Sequence, residues 1–144
     1  MFLITSKYAS FLGIFYILLT LRVIRYRRLH RISLGTGGDE NLERLVCSHS
    51  NFAEFAPLGL ILLALVESAG WPAPVIHAVG ISLCLGRILH SQALPLGSFR
   101  LRVLGMVLTI SSIVCSSMLL GPFARTPKPK LVLTTERFFR QTPG

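Results

Sequence analysis

Seven ionisable or strongly polar side chains lie within or beside stretches that are otherwise apolar: Arg25, His49, Asn51, Glu54, Arg87, His90 and Arg102. Their spacing is short. Asn51 and Glu54 are three residues apart, as are Arg87 and His90, so each pair shares a helix face. Pro57 follows the first pair, Gly86 precedes the second, and Gly105 stands one turn after Arg102, where it permits close helix approach. A charge at bilayer depth costs about 2.5–3.5 kcal/mol on insertion scales, so such groups face the interior of a bundle and pair there. The simplest arrangement is an ionic lock, with Glu54 against Arg87 or Arg102. One carboxylate does not neutralise three arginines, however. The surplus positive charge calls for lipid headgroups or an anionic ligand. His90 taken alone fits a hydrogen-bonded packing histidine better than a catalyst.

The elements that must hold these residues are membrane spans. The chain has 144 residues, is 51% hydrophobic and only 15% charged, with a mean hydropathy of +0.62. A soluble domain of this size leaves too much surface exposed to hide so many apolar side chains. Crossing the hydrocarbon core takes about 20 apolar residues. Four stretches meet this, at about 2–23, 42–69, 75–94 and 102–120. The fold class is therefore all-α, an integral membrane four-helix bundle. One membrane domain covers residues 1–124, and a basic tail covers 125–144. The first span is read as an uncleaved helix, closed by the arginines from Arg22 to Arg31. Pro57 should bend the second. Because consecutive spans alternate in direction, the seven polar residues fall in one layer, on the side of the first and third loops.

The net charge of +9 lies mostly in two clusters flanking apolar segments, which suits headgroups and topology rather than nucleic acid. The excess of arginine in the first and third loops places those loops in the cytoplasm. Cys47, Cys84 and Cys115 have neither metal-ligand nor disulfide spacing and read as buried small hydrophobes. No metal site is expected. Four short spans with intramembrane His and Glu also permit a small channel or transporter, but no repeat or paired discontinuous helices support one.

His-x-Asn-x-x-Glu-x-x-Pro (His49, Asn51, Glu54, Pro57), Gly-Arg-x-x-His (Gly86, Arg87, His90) and Arg-x-x-Gly (Arg102, Gly105), in that order within four spans, resemble the MAPEG family, the membrane-associated proteins in eicosanoid and glutathione metabolism. The Gly-Gly-Asp loop with Asn-Phe-Ala-Glu is most similar to its bacterial branch, which implies a multi-pass protein of a bacterial inner membrane. The resemblance also implies a homotrimer with glutathione, as co-substrate, bound between neighbouring protomers. The activity implied is glutathione transferase or peroxidase chemistry on small lipophilic electrophiles. The alternative is a catalytically silent structural or lipid-interacting member. Carried over by position, Glu54 would accept the ligand's α-amino group and Asn51 its γ-glutamyl end. Arg25, or the nearby Arg22, would pair with a carboxylate, Arg87 and His90 would line the pocket, and Arg102 would stand at the sulfur. An arginine beside a thiol favours the nucleophilic thiolate. Four positions depart from the family's ligand-holding pattern: Cys47, Ser50, Leu94 and Val103.

Overall fold

The computed structural model describes residues 2–121, so the tail at 125–144 lies outside the described residues. Four helices follow one another: α1 Leu3–His30, α2 Glu40–Ser68, α3 Ala73–Ala93 and α4 Phe99–Leu120. All four are long and apolar enough to cross a membrane. They form one bundle in which α3 packs most closely on α4, α2 touches the other three, and α1 rests on α2 and α3 without reaching α4. The all-α membrane bundle expected from hydropathy is the fold observed.

The first helix corrects one expectation. The arginines from Arg22 onward do not close it; it continues for 28 residues to His30. At 1.5 Å per residue that is about 42 Å, longer than a hydrocarbon core of about 30 Å, so its basic end projects beyond the apolar layer. It ends at Arg31, which adopts left-handed backbone angles (φ 55°), while the N–H of Ile32 reaches back to the carbonyl of Arg27 at 3.0 Å. Cations in this last turn suit the negative end of the helix dipole.

At its other end α1 has no cap of its own. Glu67, near the end of α2, supplies one, accepting the N–H groups of Ile4 at 2.9 Å and Thr5 at 2.8 Å. A carboxylate at a helix N-terminus satisfies orphan donors and the dipole together.

The first loop turns on Gly35, Gly37 and Gly38, all at positive φ, and then Asp39 caps α2. Its carboxylate accepts the N–H groups of Asn41 at 2.9 Å and Leu42 at 3.0 Å, and the Tyr26 hydroxyl at 3.0 Å. These bonds, that from Leu42 foremost, hold the Asp39 carboxyl below the usual carboxylate range. A depressed folded-state pKa contributes stability that is complete above the unfolded value and lost as pH falls through the folded one. Thermal unfolding at stepped pH should therefore show stability declining at the acid end of the carboxylate range. Asp39→Asn, which still caps but does not titrate, should flatten that decline.

Polar side chains stitch the helices inside the apolar layer. Ser48 donates to the carbonyl of Ser91 at 2.9 Å, Ser82 to Leu108 at 3.0 Å and Ser112 to Val79 at 3.1 Å. Small and hydroxylated residues are what close helix packing in lipid requires. Large apolar side chains such as Ile14, Ile17, Val107 and Ile110 point outward on α1 and α4, as lipid contact demands. Pro57 lies inside α2, which runs unbroken through it from 40 to 68.

Candidate functional site

The polar layer is centred on Arg87. It stands fourteen residues into α3, about 21 Å from that helix's start, and is fully buried. Its guanidinium meets only neutral acceptors. Nε donates to the Thr109 hydroxyl at 2.9 Å and Nη2 to the same oxygen at 2.7 Å. Nη1 donates to the side-chain oxygen of Asn51 at 2.8 Å and to its backbone carbonyl at 3.3 Å. The Phe55 ring lies against it, 5.2 Å from centroid to Cζ. Arg87 thus ties α2, α3 and α4 together at one level.

Close approach of α3 and α4 makes this possible. A Cβ on Gly105 would come within 2.5 Å of the His90 backbone nitrogen, and one on Gly86 within 2.9 Å of the Gly105 carbonyl. The two glycines remove the spacing that side chains would impose and bring Thr109 under the guanidinium. Thr109 in turn donates to the Gly105 carbonyl at 2.9 Å, which fixes its oxygen as an acceptor for Arg87.

Beside this anchor opens a groove of about 590 Å³ lined by Asn51, His90, Arg102 and Cys47, with Leu94 and Met106 among its apolar walls. That volume is in the range of small-molecule sites. Arg102 is exposed and lies over the Phe99 ring at 5.8 Å. His90 is buried, and its Nδ1 has no hydrogen-bond partner among the described residues. A buried imidazole nitrogen without a partner is uncommon in native structures.

The structure therefore brings Asn51, His90 and Arg102 to one groove, with Arg87 directly behind it. It does not bring Glu54, Arg25 or His49 there. Glu54 and Arg25 are exposed on other faces. His49 turns to α1, where Nε2 meets the Thr20 hydroxyl at 3.0 Å and the ring stacks on Tyr16. The ionic lock does not form: among the described residues the ion pair present is Arg44–Glu40, at 3.5 Å on the surface. The cysteines also differ from expectation. Only Cys84 is buried, while Cys47 and Cys115 are exposed. Cys47, Leu94 and Val103, three of the four positions that depart from the family pattern, all line the groove.

Thr109 was not among the residues that the sequence singled out. Its one signal is its place a turn after Gly105, on the face that Gly105 presents to α3. Glu67 was missed too, because a carboxylate near the end of a span looks like an ordinary interfacial charge.

Comparison with known proteins matches residues 5–121 to the MAPEG family. The inner membrane protein YecN of Escherichia coli strain K12 is 28% identical over 107 residues, covering 74% of this chain and 82% of that protein. YecN of E. coli O6:H1 strain CFT073 matches to the same extent. No solved structure matches. These relatives accord with four membrane-crossing helices and with a multi-pass protein of a bacterial inner membrane. With the family match running from the first helix to the end of the fourth, the chain belongs to the MAPEG family.

Proposed function

We propose that this protein is a membrane-embedded thiol transferase or peroxidase-like enzyme, acting with glutathione or another small thiol on lipophilic electrophiles that enter from the bilayer. The observation that carries this reading is the groove at the start of α4, where an exposed Arg102, in the first turn of that helix, shares the lining with Asn51 and His90 and has no carboxylate partner among the described residues. A cation at the mouth of a mostly apolar groove suits a ligand that is anionic at one end and enters from the bilayer.

The residues suit parts of such a ligand. Arg102 would hold the sulfur as its thiolate, the nucleophilic form. Asn51, fixed by Arg87, would keep its amide turned to a γ-glutamyl group. The unpartnered Nδ1 of His90 offers one further hydrogen bond. Bound there, the thiol supplies the nucleophile; the chain supplies its charge state, its orientation and a dry surrounding.

A single protomer has no acid in the groove for an ammonium group. Glu54, about 21 Å along α2 from Ser68, lies exposed at hydrocarbon depth. Bare carboxylates are excluded from that layer. A neighbouring copy covering Glu54 would bury it and bring its carboxylate to a groove, which accords with a homotrimer whose sites are completed between protomers.

A second reading has its own observation. Cys47, Leu94 and Val103 make the groove less polar than a glutathione-holding site, as a catalytically silent structural member would have it. The two are separated by calorimetric titration of the detergent-purified protein with glutathione. Saturable binding accompanied by thiolate absorbance, both reduced at least about ten-fold in Arg102→Ala, is the expected outcome, since losing one charged partner is worth about 1.4 kcal/mol or more. Absence of binding at millimolar thiol would favour the silent member.

A further inference from the structure

At the opposite face of the membrane, the starts of α1 and α3 form a second groove, of about 440 Å³. Its polar end is made by Lys7, Tyr8 and His77. The Tyr8 hydroxyl meets His77 Nδ1 at 2.8 Å and the His77 carbonyl at 3.3 Å, which fastens α1 to α3. Tyr8 lies flush on α3 because Gly80 leaves room; a Cβ there would come within 2.5 Å of its ring. From this end the walls become wholly apolar, with Ile81, Leu85 and Ile88 along α3 and Phe11 on α1. From His77 to Ile88 is eleven residues, about 16 Å of helix, or half of a hydrocarbon core of about 30 Å. The apolar stretch is thus as long as one leaflet, and it ends at Ile88 in the last third of α3.

Its head carries a cation. Lys7 is exposed and forms no ion pair among the described residues. Among them the carboxylate nearest this end of the bundle, Glu67, is engaged with the N–H groups of Ile4 and Thr5. The remaining acids among the described residues, Asp39, Glu40, Glu43 and Glu54, belong to the first loop and the first half of α2, towards the other face.

We infer that this groove binds a phospholipid with an anionic headgroup, its phosphate at Lys7 and one acyl chain lying between α1 and α3 down to Ile88. Charge selects the headgroup, and the length of the apolar walls matches one leaflet. The site is separate from the Arg102 groove and does not rest on any catalytic reading of it.

The test is native mass spectrometry of the full-length protein in detergent, titrated with phosphatidylglycerol and phosphatidylethanolamine of identical chains. A lysine near the membrane surface contributes about 1 kcal/mol towards anionic lipid, so the wild type should retain phosphatidylglycerol about five-fold more strongly. Lys7→Gln, an exposed change that leaves the fold intact, should equalise the two lipids. Leu85→Trp, which fills the apolar wall, should reduce retention of both. Equal retention of the two lipids by the wild type, or a preference that survives Lys7→Gln, would overturn the proposal. So would displacement of the phospholipid by an equimolar free fatty acid of the same chain length, which would make the occupant a fatty acid.

Discussion

Thr109→Val is expected to destabilise the purified protein by about 2–4 kcal/mol, far more than the about 0.6 kcal/mol that an average hydrogen bond between membrane helices contributes. The substitution barely alters shape. What it removes is one oxygen that accepts both Nε and Nη2 of a fully buried guanidinium. A cation left with unsatisfied donors in a low-dielectric interior loses much of what made its burial tolerable, and breaking a buried charged contact on one side typically costs about 3–5 kcal/mol. Asn51 remains as a partner, which places the expected loss somewhat below the top of that range. Arg87→Met in the Thr109→Val background should restore most of the stability, because removing both halves of a buried polar contact is far cheaper than removing one. Denaturant titration in mixed micelles measures both. A loss below about 1 kcal/mol in Thr109→Val would mean that water or lipid reaches the guanidinium. The double variant also separates structure from chemistry: if it folds as the wild type does but no longer binds thiol, Arg87 is a positioning residue that acts through Asn51.

That Arg87 would need a partner was legible in the sequence; which partner was not. The hydropathy runs set the four spans, and their alternation placed Arg87, His90, Asn51 and Arg102 in the same half of the bundle, where the structure has them. Level is not rotation. Asn51 and Glu54 are three residues apart, so they differ by about 60° around the helix, enough for one to turn inward and the other outward. Nothing in a single sequence fixes that angle; opposite charge points to Glu54, whereas the bundle satisfies Arg87 with an amide and a hydroxyl. Hydroxyls are common in apolar helices, which hid Thr109 among Thr and Ser residues that simply bond their own helix, such as Ser117. The end of α1 was misplaced for a different reason. Hydropathy marks where the lipid stops, whereas hydrogen bonding continues through Arg25 and Arg28 into water. Glu67 escaped notice because its partners are backbone N–H groups far away in sequence, which leave no side-chain signature.

The second large effect should come from Gly105, and it is best read against two other glycines. All three sit in helices, where replacing glycine with alanine favours the helix by up to about 1 kcal/mol when space allows. At Gly13 a new Cβ meets nothing within 4 Å, so Gly13→Ala should be neutral or slightly stabilising. At Gly59 it would come within 2.6 Å of the Leu83 side chain, a branched group that can rotate or shift, so the propensity gain and the repacking loss should nearly cancel. At Gly105 the three obstructing atoms are the backbone nitrogen and Cα of His90, at 2.5 and 2.9 Å, and the Gly86 carbonyl oxygen, at 2.8 Å. Helix backbone cannot rotate away as a side chain can, and Gly86 lies two turns inside α3. Gly105→Ala must therefore push α3 and α4 apart, with an expected net loss of about 2–3 kcal/mol, at the upper end of what overpacking does in cores. Separation would also pull the Thr109 oxygen from Arg87 and shift His90 relative to Arg102, so thiol binding should fall along with stability. Circular dichroism melts across the three alanine variants give the ranking. Gly105→Ala melting close to Gly13→Ala would show that the α3–α4 contact is soft, and that Arg87 is held at its depth by Thr109 and Asn51 without needing the helices so near.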